Sequence, residues 1–266
     1  MKSSKRNDGR EVDFKHVGAS AWTRFWLYWW VVPRAQWDLL DVEYQIYVFQ
    51  LFHGDRRTKI THYTTIVLIA FFHMVFFAQW PLWAGAPALA NGALVYGLLI
   101  AALHAMPYLT RGFAGLWLGT CGLLSLMGLG ATSYYQWARV PGGPWYAPTS
   151  LATNPLLWIY VFSFLETLSH GLEPVPPYSH GKGRWLMPEE FRREGGVWLA
   201  LNAVAMPTLF TFTSFFSNPR SLSTVVLRAM MAAGYRRDLR DSIDALVAAE
   251  WRSGQPWMHS VPRKAE

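Results

Sequence analysis

The sequence predicts an all-α fold: a polytopic membrane helical bundle of about five transmembrane or membrane-embedded helices, with interfacial amphipathic helices at both ends. Three observations carry this. Several long apolar runs alternate with short polar links, and runs near 20 residues match the bilayer core rather than a soluble interior. Only 15% of the residues are charged, against about 25% in a soluble domain. Many of the 15 Trp and of the basic residues stand at the flanks of the apolar runs, where membrane interfaces place them.

Taken in order, residues 1–19 read as a disordered basic arm with no signal-peptide pattern. Residues 20–217 form the membrane domain. Its first stretch, Ala21 to Trp30, is too short to span and reads as a helix lying on the bilayer. Asp38 to Phe52 reads as a second helix with mixed faces. Spans are expected at about Tyr63–Trp83, Ala86–Pro107, Phe113–Tyr135, Pro155–Ser169 and Val197–Phe216. Glycine in the third suits close helix packing, and the fourth is short for a crossing. Residues 218–266 read as an amphipathic basic tail. Five spans would leave two basic ends on opposite faces of the membrane, which conflicts with the positive-inside rule.

The net charge of +7 fits anionic lipid headgroups, and no nucleic-acid motif accompanies it, so membrane lipids are the expected partners and nucleic acid is not. Cys121 is the sole cysteine, which excludes an intramolecular disulfide.

Two polar clusters interrupt the apolar pattern. Glu166, His170 and Glu173 stand at the foot of the fourth run. Glu166 and His170 are four apart and share a helical face. Ionisable groups at membrane depth are functional candidates, the bland reading being headgroup-level residues at a helix end. The second cluster is His53 to His62, bracketing a basic turn with Arg57 and Lys59 before the first span. Histidines beside a carboxylate suit a divalent metal, and two His with one carboxylate suit Fe(II) and O2. His73 and His104, each within an apolar run, read first as hydrogen-bonded packing residues.

Phe52-His53 to His62 before an apolar span, and Ser169-His170-Gly171-Leu172-Glu173 with Pro176-Pro177, resemble the two motifs of the Mpo-type 2-hydroxy fatty acid dioxygenase family, in the same order. The likeness covers about Asp41 to Phe216. The His170–Glu173 spacing is one residue shorter than the family's, and Asn154 stands where a family His precedes Pro155. The resemblance implies a membrane enzyme that uses Fe(II) and O2 to shorten a 2-hydroxy acyl chain by one carbon. It implies His53, His62, His170 and Glu173 as metal ligands, Glu173 and Glu166 as catalytic carboxylates, and Glu166 orienting His170 or the substrate hydroxyl. Arg57, Lys59, Asn154 and His104 become substrate-binding candidates, with His104 or His180 standing in for the missing family His.

Two other readings use the same residues. Glu166 or Glu173 as an acid, with aromatic faces around a carbocation, would make a metal-independent sterol or terpenoid isomerase or cyclase. His and Glu engaged only in helix–helix hydrogen bonds would make a lipid-binding scaffold.

Overall fold

A computed structural model describes residues 46, 49–50, 53, 56–110, 112–169, 214–215 and 221–252. Helix α1, Arg56–Phe77, is the one around which the others assemble. It touches α2 (Gly92–Thr110), α3 (Ala114–Ala138) and α4 (Pro155–Ser169). Over half of its apolar window is buried, 56%, against 25% for α2 and 28% for α3. A helix apolar on all sides is stable only when neighbours or lipid cover every face. These three are long and apolar enough to cross a membrane, rising about 28–37 Å at 1.5 Å per residue. Helix α4, with 15 residues, is shorter.

The four run antiparallel. One end of the bundle, the basic end, carries Arg56, Thr110, Ala114 and Ser169. The opposite, aromatic end carries Phe77, Gly92, Ala138 and Pro155. Helix α1 begins at Arg56, seven residues before the expected start at Tyr63. The basic turn is therefore the first turn of the helix. It stops at Phe77 and not at Trp83. From there a short loop closes on itself, Leu82 N donating to Ala90 O at 3.0 Å and Gly92 N to Trp80 O at 2.8 Å. Helix α2 likewise starts at Gly92 and not at Ala86, because Asn91 Oδ1 accepts from the Ala93 N–H at 2.9 Å and caps it. Gly92 is required by close approach: a Cβ there would lie 2.6 Å from the Phe77 carbonyl oxygen. At the other end of α2, Phe113 N donates to Tyr108 O at 2.7 Å across Gly112, whose φ is +77°. This is a Schellman stop, and its apolar contact joins Tyr108 and Phe113 in one cluster.

Segment 221–252, which the sequence sets apart as a tail, packs into the bundle. It forms α5 (Ser221–Ala232) and α6 (Arg237–Arg252). Ser214 and Phe215 sit at the aromatic end, Phe215 stacking on His73 and touching Phe76 and Phe77. From there α5 descends along α3. Val226 and Met230 lie against Gly119, and Tyr235 against Gly115, near the basic end. The chain thus changes ends between Ser169 and Ser214 and returns by Tyr235, so its two basic segments, 56–59 and 236–240, share one end. Arg228 ties the parts together: it bonds the Tyr63 hydroxyl, pairs with Asp244 at 3.6 Å, and meets Gln50 when that amide is turned to offer its oxygen.

Two apolar clusters result. The larger joins Ile66, Ile69, Met74, Ile100, Leu124, Ile159 and Leu222. The smaller, toward the basic end, joins Ile46, Tyr108, Phe113, Leu116, Leu227, Met231 and Ile243. The expected arm at 1–19, the surface helix at 21–30 and most of the span at 197–216 lie outside the described residues.

Candidate functional site

The first turns of α1 and the last turn of α4 bring His53, His62 and Glu166 together at the basic end. His53 stacks on Phe49, ring centroids 4.1 Å apart, and its Nδ1–H donates to the Phe49 carbonyl oxygen at 2.6 Å. The His62 ring meets His53 edge to face at 4.4 Å. His62 Nδ1 lies 3.2 Å from Glu166 Oε1, joining α1 to α4. In both rings Nδ1 is therefore held by an acceptor, one a carbonyl and one a carboxylate, and both Nε2 atoms are buried. Burial, and next the neighbouring His62, push the His53 pKa well below the usual imidazole value. Lys59 adds to this, and the Phe49 carbonyl opposes it.

An anchored Nδ1 is the arrangement by which proteins fix the tautomer of a metal-binding His, leaving Nε2 for the metal. The pair fits an imidazole-ligated divalent ion on that ground. Among the described residues, no three His, Cys, Asp or Glu side chains converge as a metal site. His170 and Glu173 lie outside the described residues. Ser169, which precedes His170, is held in place: Thr58 Oγ1 donates to its carbonyl oxygen at 2.8 Å, one turn before His62.

No protein-family model, no curated protein and no solved structure matches this chain.

The other expected site residues are distributed as follows. Glu166 engages His62, a pairing across helices that spacing along one helix does not reveal. Arg57 is exposed and Lys59 half-buried in the first turn of α1, Lys59 close enough to act on His53. Asn154 is not part of this cluster. It caps α4 at the aromatic end, Oδ1 accepting from the Leu156 and Leu157 N–H groups at 2.9 and 3.2 Å, while Nδ2 donates to Tyr146 O. Pro155 follows as the first helical residue, where its missing N–H costs nothing. Twelve residues of helix, about 18 Å, separate Asn154 from Glu166. Its residue type is explained by the cap.

His73 is a buried, hydrogen-bonded packing residue. Its Nε2 lies 3.0 Å from Ser214 Oγ and its Nδ1 3.3 Å from Tyr96 OH, which donates to Phe215 O at 3.0 Å. Eleven residues of α1 separate it from His62, about 16 Å. His104 is buried on α2, with Nδ1–H donating to Ile100 O at 2.7 Å. Sequence reasoning missed Phe49 as the platform for His53 and the partners of His73. The Phe49–His53 spacing of four, on a helical segment, was the available signal for the first.

Proposed function

We propose that this chain is a multi-pass membrane protein whose basic end faces the cytoplasm, and that its histidine pair belongs to a non-haem Fe(II) dioxygenase acting on a lipid such as a 2-hydroxy fatty acid. Three long apolar helices support the membrane reading. Orientation rests on charge: Arg56, Arg57, Lys59, Arg236, Arg237 and Arg240 gather at one end, and Arg139 is the charged residue of the described aromatic end. There Trp80, Trp83, Trp137, Trp145 and Tyr146 are exposed, as an interfacial belt would be.

The observation that carries the enzyme reading is the double anchoring of His53 and His62, one Nδ1 on the Phe49 carbonyl and the other on Glu166. Such pairing is what orients ligating imidazole rings. Iron would be held by His53 and His62, with His170 and Glu173 completing the set as the resemblance to the Mpo-type family implies. When bound, iron would supply activation of O2. The chain's own residues do the rest. Glu166 holds the His62 ring and its proton. The stacked Phe49 excludes water from His53. Lys59 and Arg57, at the mouth of the basic end, neutralise the carboxylate of a lipid whose chain extends toward the apolar interior. The engagement of Glu166 by His62 argues against its service as an isomerase acid.

The test is the iron content of the detergent-purified full chain after anaerobic Fe(II) loading, with O2 uptake on 2-hydroxy fatty acids. Near-stoichiometric iron that is lost in His62→Ala and His53→Ala supports the reading. No iron in the wild type, or wild-type iron in His62→Ala, overturns it.

A further inference from the structure

The half-buried Leu123 packs against both apolar clusters, and around it buried polar residues recur on segment after segment. On α2, Ile100 belongs to the larger cluster and Tyr108 to the smaller, with His104 one turn from each. On α3, Leu124 and Leu116 belong to the two clusters, with Thr120 one turn from each. On α5, buried Ser223 and Thr224 lie between Leu222 and Val226. On α1 and α4, His62 and the buried Ser163 stand one turn toward the basic end from Ile66 and Ile159. Five helices thus carry a buried polar residue near the boundary of the clusters, and α2 and α3 each set one directly between them. Apolar residues at these places would join the clusters into a single core, so packing alone does not call for this layer.

Two members of the layer have an open bonding position. His104 is 3% exposed and its Nδ1–H is committed to Ile100 O, which leaves Nε2 as a bare acceptor. That atom has no hydrogen-bond partner among the described residues. Thr120 is fully buried, and its Oγ1 has no partner among them either. A helical threonine ordinarily bonds the carbonyl one turn back, so this hydroxyl forgoes its default partner. Buried polar atoms left this way are rare and costly, and they mark places where a bound group completes the bonding. The antiparallel α2–α3 hairpin sets both residues at the same depth, between the same two clusters.

We propose that His104 and Thr120 form a hydroxyl-recognising subsite for a lipid held in this layer, His104 Nε2 accepting the hydroxyl proton and Thr120 Oγ1 bonding its oxygen. The lipid class rests on the function proposed above; the demand for a hydrogen-bond donor rests on the His104 tautomer alone. A carboxylate or phosphate offers His104 only acceptors and is excluded from this position. The subsite therefore selects lipids bearing a hydroxyl over otherwise identical ones without it.

The experiment is equilibrium binding of 2-hydroxypalmitate and of palmitate to the full chain in lipid nanodiscs, with chelator present so that no metal contributes. The wild type is expected to bind the hydroxylated acid about tenfold more tightly. In His104→Phe and in Thr120→Val that preference falls to about twofold or less, with palmitate binding unchanged; Thr120→Ser keeps it. Thr120→Val is nearly isosteric and suits an apolar helix, so it carries the test if His104→Phe does not fold. No preference in the wild type, or a preference kept in Thr120→Val, overturns the subsite and leaves water as the occupant of the layer. Because iron is absent, the outcomes separate: a chain that keeps the preference but never binds iron retains the subsite and loses the oxygenase, and the reverse result does the opposite.

Discussion

His62 on α1 and Glu166 on α4 meet through Nδ1 and Oε1 at 3.2 Å, with the imidazole buried and the carboxylate about 29% exposed. The pair crosses 104 residues of sequence and fixes the imidazole ring on the helix around which the bundle assembles. Its energetic role is orientation. The glutamate keeps partial access to solvent, so the pair avoids the full desolvation cost of a buried ion pair.

Replacing Glu166 by Gln keeps the shape and an acceptor but removes the charge. Iron retention against a competing chelator is expected to drop about 10–100-fold, the usual consequence of losing a partner behind a metal-binding His. Helical content by circular dichroism should not change. Wild-type retention in this variant would mean that Glu166 does not act through His62.

His53 makes the metal-free protein acid-sensitive. Its folded pKa lies well below 6.5, so above that pH the folded and unfolded states are both neutral and the group contributes nothing. Below about 6.5 the unfolded chain takes up a proton that the folded chain refuses, and stability falls as pH falls toward the folded value. His62 and Lys59 oppose the charge, reinforcing the sign. Thermal midpoints measured with chelator from pH 8 to pH 5 should decline below about 6.5, and His53→Phe, which retains the stack on Phe49, should flatten the profile.

Asn154→Ala removes the cap of α4. A loss of about 1 kcal/mol is expected in a denaturation series. Iron content should stay at the wild-type level, since the cap lies at the opposite end from His62. A drop in iron as large as that of His62→Ala would mean that Asn154 acts on iron binding beyond its cap.

Gly92→Ala places a methyl group 2.6 Å from the Phe77 carbonyl oxygen, a backbone atom that cannot step aside. A destabilisation of about 1–3 kcal/mol should follow. Gly122→Ala, on the open face of α3 with nothing within 4 Å, serves as the control and should be neutral or slightly stabilising.

Membrane orientation can be read by labelling in a Cys121→Ser background. A cysteine from Arg56→Cys should react from the cytoplasmic side, and one from Trp145→Cys from the other. Labelling of both from the same side would break the antiparallel reading.

The helical character of the chain and its apolar runs were legible because both rest on local composition. Helix α4 appears where the sequence put it, and α3 within three residues, since Asn154-Pro155 and Gly112-Phe113 are strong boundary signals. Helices α1 and α2 were misplaced by up to seven residues, because hydropathy marks where a helix is apolar and not where it begins. Arg56 and Lys59 are helical residues outside the apolar core, and the apolar loop 78–91 is not helical. The two-histidine cluster was legible as a motif, while its partners were not.

The sequence by itself determined a helical bundle built on long apolar runs, of which three described helices are long enough to cross a bilayer, with polar clusters at their flanks and candidate histidines. Those follow from residue type and spacing along one helix. Tertiary structure alone decided that Glu166 holds His62, that His73 meets Ser214 and Tyr96, and that His104 and Thr120 lie at one depth. These relationships join residues 16 to 141 positions apart, and the hydrophobic pattern that specifies a helix face does not say which other helix that face will meet.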